Sequence, residues 1–257
     1  MRSVTSVLLV FACWACGSGA PGTQQRPVPV PKGSGDDVLF VGNSLTYTND
    51  LPGLVQGLAA AGGIRLQTAS VAHPSYSLAD HLEQQDAVRA IAGGGWRVVV
   101  LQQGPSALVE SRELLRRDTA LFDQRIRAAG ARTALFSVWP ESSRQSAFGD
   151  VAASYAAAAA DVGGIYLPVT QAWLEAWKRD PSLALYSEDG FHPSAQGSYL
   201  AAVVIASVLT GVSPAQMTAR VVRPDGSELS IPPAIATVLR TAAAAAIASS
   251  GTAVPPG

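Results

Sequence analysis

The feature that most restricts the fold is an alternation repeated along the chain: a short continuous apolar run, a loop, a longer segment with helical spacing, then another apolar run. A strand open to solvent on one face alternates polar and apolar residues, but Val38-Leu39-Phe40-Val41 and Val98-Val99-Val100-Leu101 are apolar throughout. Both therefore read as strands covered on both faces. Further strands are expected over 64–71 and 133–138, with a weaker one over 165–167. Helices are expected over 51–61 behind the start signal Asn49-Asp50-Leu51-Pro52, over 78–92 behind the cap Ser77, and over 110–129. Three more are expected: one through the alanine run at 156–160, one over 169–177 and one over 194–210. Gly62-Gly63, Gly93-Gly94-Gly95 and Gly130 stand where helices should stop. Strand-helix-strand repetition calls for a parallel sheet with right-handed crossovers and helices on both faces. In such α/β sheets the ligand site lies at the carboxyl ends of the strands, so chemistry is expected just after each one.

The 257 residues, 48% of them hydrophobic, suffice for one catalytic-size domain with a substantial core. A formal net charge of −1 leaves no basic field to attract a polyanion, which argues against a nucleic-acid partner. Cys13 and Cys16 are the only cysteines, so the body of the chain has neither a disulfide framework nor a Cys-based metal site.

Residues 1–16 read as an export signal: Met1-Arg2, an apolar run from Val7 to Ala12, then small residues. The run is too short for a bilayer span of about 20 residues. A cysteine behind a small residue at the end of such a run resembles a bacterial lipoprotein processing site. Cys16 fits it better than Cys13, and a plain cleaved signal that discards both remains open. Residues 17–35, with Pro21, Pro27, Pro29, Pro31 and several glycines, read as a linker. The folded domain is expected over 36–257, with a helical extension at its C-terminal end. Localisation is then periplasmic or cell-surface, with membrane contact only through an N-terminal lipid.

Gly42-Asn43-Ser44-Leu45-Thr46 directly follows the first strand. A serine at the tip of a strand-to-helix turn can expose its hydroxyl and place its own amide where an oxyanion forms. Near the other end, Asp189-Gly190-Phe191-His192-Pro193-Ser194 sets a carboxylate three residues before a histidine, just ahead of an apolar helix. On one turn the carboxylate can fix the imidazole tautomer while the other ring nitrogen serves a nucleophile.

Together these motifs resemble the GDSL/SGNH hydrolase family over roughly residues 37–211. The resemblance implies a three-layer α/β/α sandwich with a five-stranded parallel sheet, with Ser44 as nucleophile, His192 as general base and Asp189 as the orienting carboxylate. Asn43 stands where the family usually has Asp. The family's second block supplies a glycine amide to the oxyanion hole, and Ser75 in His73-Pro74-Ser75-Tyr76-Ser77 falls at that position. A backbone donor does not depend on its side chain, but serine adopts unusual φ less freely than glycine. The third block normally carries an Asn that donates to the oxyanion. Here Leu101-Gln102-Gln103-Gly104 offers two glutamines, either of which has the same carboxamide on a longer arm, with Gln103 slightly favoured. The oxyanion hole is therefore expected from Ser44, Ser75 and Gln103 or Gln102. Gln-Gly-x-Ser also resembles the carbohydrate O-acetylesterase branch.

Among other polar residues, His73 and His81 lack a zinc spacing and read as loop or solvent-facing histidines. Trp139, just after the fourth strand, either walls the pocket or packs in the core, and Trp173 and Trp177 have core spacing. Arg112, Arg116, Arg117, Arg125 and Arg127 read as a solvated helix face. The resemblance implies a serine esterase that needs no cofactor and acts on a small-molecule or carbohydrate ester. A weakly catalytic glycan-binding protein and an acyltransferase are the rival readings.

Overall fold

A computed structural model describes residues 37–252. The export signal, Cys13, Cys16 and the linker lie outside the described residues. Strands β1 (Asp37–Gly42), β2 (Thr68–Ala72), β3 (Trp96–Leu101), β4 (Arg132–Phe136) and β5 (Ile165–Leu167) form one sheet in the order β2-β1-β3-β4-β5. Every neighbouring pair is parallel. Val38, Leu39, Phe40 and Val41 are fully buried, as a strand covered on both faces requires. Burying each such side chain contributes about 1.5–3 kcal/mol.

The helices are α1 (Ser44–Tyr47), α2 (Leu51–Ala61), α3 (Leu78–Gln84), α4 (Asp86–Ala92), α5 (Val109–Ala128), α6 (Phe148–Asp161), α7 (Val169–Arg179), α8 (Ala195–Thr210) and α9 (Pro233–Ser249). Two groups flank the sheet: α2, α7, α8 and α9 pack on one another, as do α3, α4, α5 and α6. Helix α8 is buried at every position from Gly197 to Leu209, which explains why its sequence is apolar all round rather than along one stripe. A small antiparallel hairpin, β6 (Arg220–Val222) and β7 (Glu228–Ser230), precedes α9.

Two expectations are corrected. The second strand begins at Thr68 rather than residue 64, because Gly63 adopts φ +76° and folds the chain back so that the Ile64 amide donates to Ala59 O at 2.9 Å. The helix expected over 78–92 breaks at Gln85, which has φ +65°. Asp86 starts a new helix there: its Oδ1 accepts from the Ala87 amide at 2.7 Å and its Oδ2 meets His73 Nε2 at 2.5 Å.

The sheet positions the site. The chain steps from β1 outward to β2 on one side and to β3 on the other, so the order reverses between β1 and β3. The crevice at such a switch point opens beyond the carboxyl ends of those two strands. The segments that leave them begin at Asn43 and Gln102.

Candidate active site

Gly42 ends β1, and Asn43 caps α1 by accepting the Leu45 amide on its Oδ1 at 3.1 Å. Ser44 is thereby the first residue of the helix. The turn is tight enough that a Cβ on Gly42 would lie 2.3 Å from Gln102 Oε1 and from Thr46 Oγ1. Gln102 is fully buried beneath it. Its Oε1 accepts from the Asn43 amide at 2.9 Å and from Thr46 Oγ1 at 2.7 Å. Its Nε2 donates to Asn43 Oδ1 at 2.9 Å and to Gln103 O at 2.6 Å.

The loop ahead of α8 brings Asp189 and His192 to this turn. Asp189 Oδ1 accepts from Ser187 Oγ at 2.8 Å and from the Phe191 and His192 amides at 2.9 Å. Its Oδ2 lies 2.5 Å from His192 Nδ1. The His192 hydrogen bond, and after it the Phe191 amide, hold the Asp189 carboxyl far below the usual carboxylate range. With Nδ1–H given to Asp189, His192 Nε2 is free to accept the Ser44 hydroxyl, 2.9 Å away. Gly190 has φ +69°, and its carbonyl accepts from the Ser142 amide at 2.8 Å. Trp139 Nε1 donates to Phe191 O at 2.8 Å while its ring, fully buried, stacks on Trp173 at 4.0 Å. Trp139 thus packs in the core and also steadies the histidine loop.

On the other side of Ser44, the loop after β2 carries Ser75 with φ +62°, in the left-handed region. The Ser44 and Ser75 amides donate to no group among the described residues. Gln103 lies at the edge of the same space. Its Oε1 accepts from the Leu78 amide at 3.3 Å, and its Nε2 gives one of its two hydrogens to Ser106 Oγ at 2.9 Å. Its backbone is held by Tyr155, whose hydroxyl accepts from Gln103 N at 3.1 Å and donates to Gln103 O at 2.5 Å. Complete burial pushes the Tyr155 phenol well above its usual range, so it stays protonated. A cleft of about 400 Å³ opens over Ser44, Ser75, Tyr76, Gln103, Leu114 and Phe191.

The sequence matches no family model and no curated protein. Solved structures match it. A protein described as a candidate SGNH hydrolase, from Slackia heliotrinireducens, is 29% identical over 66% of this chain and 97% of its own, with a TM-score of 0.53. The fold is that of the SGNH hydrolases. TesA shares it at 20% identity over 66% of this chain and 97% of its own, with a TM-score of 0.52. A DUF4886 family protein from Bacteroides uniformis aligns over 85% of this chain and 97% of its own, at 18% identity and a TM-score of 0.69.

Within the SGNH fold, Ser44, Asp189 and His192 come together, and Ser75 and Gln103 reach the cleft with them. Gln102, the alternative oxyanion donor, does not: both hydrogens of its carboxamide are spent on Asn43 Oδ1 and Gln103 O beneath the turn. Asn43 makes a bond that the usual Asp could not, donating from Nδ2 to Tyr76 O at 3.0 Å. That bond ties the Ser44 turn to the loop of Ser75.

Of the two histidines expected in loops or at the surface, His73 lies in the loop after β2 and His81 does not. His81 is fully buried on α3, with Nε2 on Gly42 O at 2.8 Å, and desolvation holds its pKa below the ordinary value. His73 pairs with Asp86 and packs on the Tyr76 ring at 4.7 Å. Asp86 and Tyr155 were not singled out by sequence reasoning. Asp86 falls inside the single helix expected over 78–92, where an acidic residue reads as part of a solvated face. Tyr155 lies inside an alanine run that reads as plain helix.

Proposed function

We propose that the chain is an exported serine esterase working through an acyl-enzyme. Ser44 Oγ attacks the ester carbonyl carbon while His192 Nε2 takes the hydroxyl proton, and Asp189 stabilises the imidazolium. The tetrahedral oxyanion is met by the Ser44 and Ser75 amides and by the Gln103 carboxamide. Collapse expels the alcohol, which receives the proton from His192. A water then gives a proton to the same nitrogen, attacks the acyl carbon and releases the acid, and Ser44 regains its proton.

The observation that carries this reading is the continuous line from Asp189 Oδ2 through His192 to Ser44 Oγ, with contacts of 2.5 and 2.9 Å. The Asp189 and His192 side chains are 49% and 34% exposed, so bulk water reaches the histidine that would activate it for deacylation. The Gln103-Gly104-Pro105-Ser106 segment, whose pattern resembles the carbohydrate O-acetylesterase branch, lines the cleft with Ser44 and supports a sugar acetate as the substrate.

Hydrolysis of a short-chain aryl ester and of sugar acetates by residues 36–257, compared with Ser44→Ala, tests the assignment. Ser44→Ala should lose about three to six orders of magnitude in turnover at nearly unchanged stability. Full activity in that variant sinks the assignment, and a glycan-binding protein becomes the better account. Export, with the lipid on Cys16, rests on the sequence of residues 1–16 alone. Cys16→Ala should free the protein from membrane fractions of the native host, and recovery of an intact Met1 on cytoplasmic protein would refute export.

A further inference from the structure

We propose that Asn49 is a positioning residue that sets the contact between Ser44 and His192. The proposal rests on the reading of those two residues as nucleophile and base. Asn49 lies between α1 and α2 and has φ +57°, and Asp50 beside it has φ +51°. Side chains of L-residues avoid this region, Asn and Asp least of all. Asp50 helps hold the bend by accepting the Gly53 amide at 3.1 Å. The bend delivers the Asn49 carboxamide to the histidine arm. There Nδ2 donates one hydrogen to Pro193 O at 3.0 Å and the other to Ser198 Oγ at 2.9 Å. Among the described residues, these are the side-chain hydrogen bonds that join 43–50 to 187–198 apart from the Ser44–His192 contact itself.

Asp189 and Trp139 hold the histidine loop with respect to its own surroundings. Neither refers it to the nucleophile. Asn49 does, because it grips the residue after His192 from the same short segment that carries Ser44. A triad loses rate steeply when its members are misplaced by even an ångström. A mere surface turn, by contrast, would lose stability and leave turnover of the folded enzyme intact.

The full folded domain, variants of Asn49 and the Ser44→Ala reference are compared on a short-chain aryl ester. Asn49→Gly keeps the left-handed backbone and removes both hydrogen bonds. Its kcat should fall about ten- to a hundredfold with KM held within about twofold, and the rate of Ser44 modification by a fluorophosphonate should fall in parallel. Asn49→Asp also tolerates the positive φ but sets an acceptor against the Pro193 carbonyl, and should lose at least as much. In a His192→Ala background, Asn49→Gly should cause no further loss, since it acts through that histidine. Unchanged kcat in both Asn49 variants, or an equal loss in the His192→Ala background, overturns the proposal. Activity surviving in Ser44→Ala overturns the Ser44 reading and this proposal with it.

Discussion

Gln102 grips Asn43 with both ends of its carboxamide: Oε1 takes the Asn43 amide and Nε2 gives to Asn43 Oδ1, each at 2.9 Å. The Ser44 turn is therefore held from below by a residue of the neighbouring strand end. Its neighbour Gln103 stands in the cleft. Two adjacent glutamines with one chemistry thus have separate surroundings, one locked beneath the turn and one lining the cleft.

This separation can be measured. Gln102→Ala should leave the buried Asn43 amide and Thr46 hydroxyl without their acceptor and cost about 2–4 kcal/mol in a urea titration. Gln103→Ala should instead lower kcat about a hundred- to a thousandfold with KM nearly unchanged, because the donor is needed most in the transition state. The opposite pattern, with catalysis lost only in Gln102→Ala at unchanged stability, would hand the oxyanion role to Gln102.

Ser75 adopts φ +62°, at a position where the family resemblance places glycine. Ser75→Gly should relieve that conformation at the cost of a more flexible unfolded chain, for a net gain of up to about 1 kcal/mol in thermal unfolding. Esterase turnover should persist, since the donor at this position is the backbone amide. A large loss of turnover in Ser75→Gly would mean that the side chain itself takes part.

His81 links stability to pH. Its folded pKa lies below the ordinary 6.5 because burial disfavours the imidazolium, while Asp86 and the Gly42 carbonyl only partly offset this. Below pH 6.5 the unfolded chain takes up a proton that the folded chain refuses, so stability is full above that pH and declines below it. The decline continues until folded His81 also protonates, with a slope of at most about 1.4 kcal/mol per pH unit. Asp80, Asp86 and Asp189 have lowered pKa values, so the stability they contribute is lost only at more acidic pH, below the usual 3.8. Urea midpoints between pH 7.5 and 5 should show the His81 slope. His81→Gln, which keeps a donor for Gly42 O, should flatten it, and an equal slope in both proteins would exclude this origin.

Much of the fold was legible because its signals are local. Continuous apolar runs marked β1 and β3, and the alternation of runs with helical segments marked a parallel sheet. Breaks were harder to see. Ser77 does cap α3, with Asp80 completing a capping box, but nothing local announces that Gln85 turns left-handed. At that break Asp86 meets His73, thirteen residues away in the chain, a contact no local pattern announces.

The sequence by itself determined the sheet class, the serine turn after the first strand and the Asp-x-x-His unit, since each is set by residues within a few positions of one another. Only the tertiary structure decided that Ser44 and His192, 148 residues apart, meet at 2.9 Å. It also decided which of two identical neighbouring side chains faces the cleft, that His81 is buried, and that Asn49 reaches Pro193. The physical reason is common to all four. A side chain's burial and hydrogen-bond partners depend on which strands lie side by side, and the order β2-β1-β3-β4-β5 joins segments that no local pattern connects.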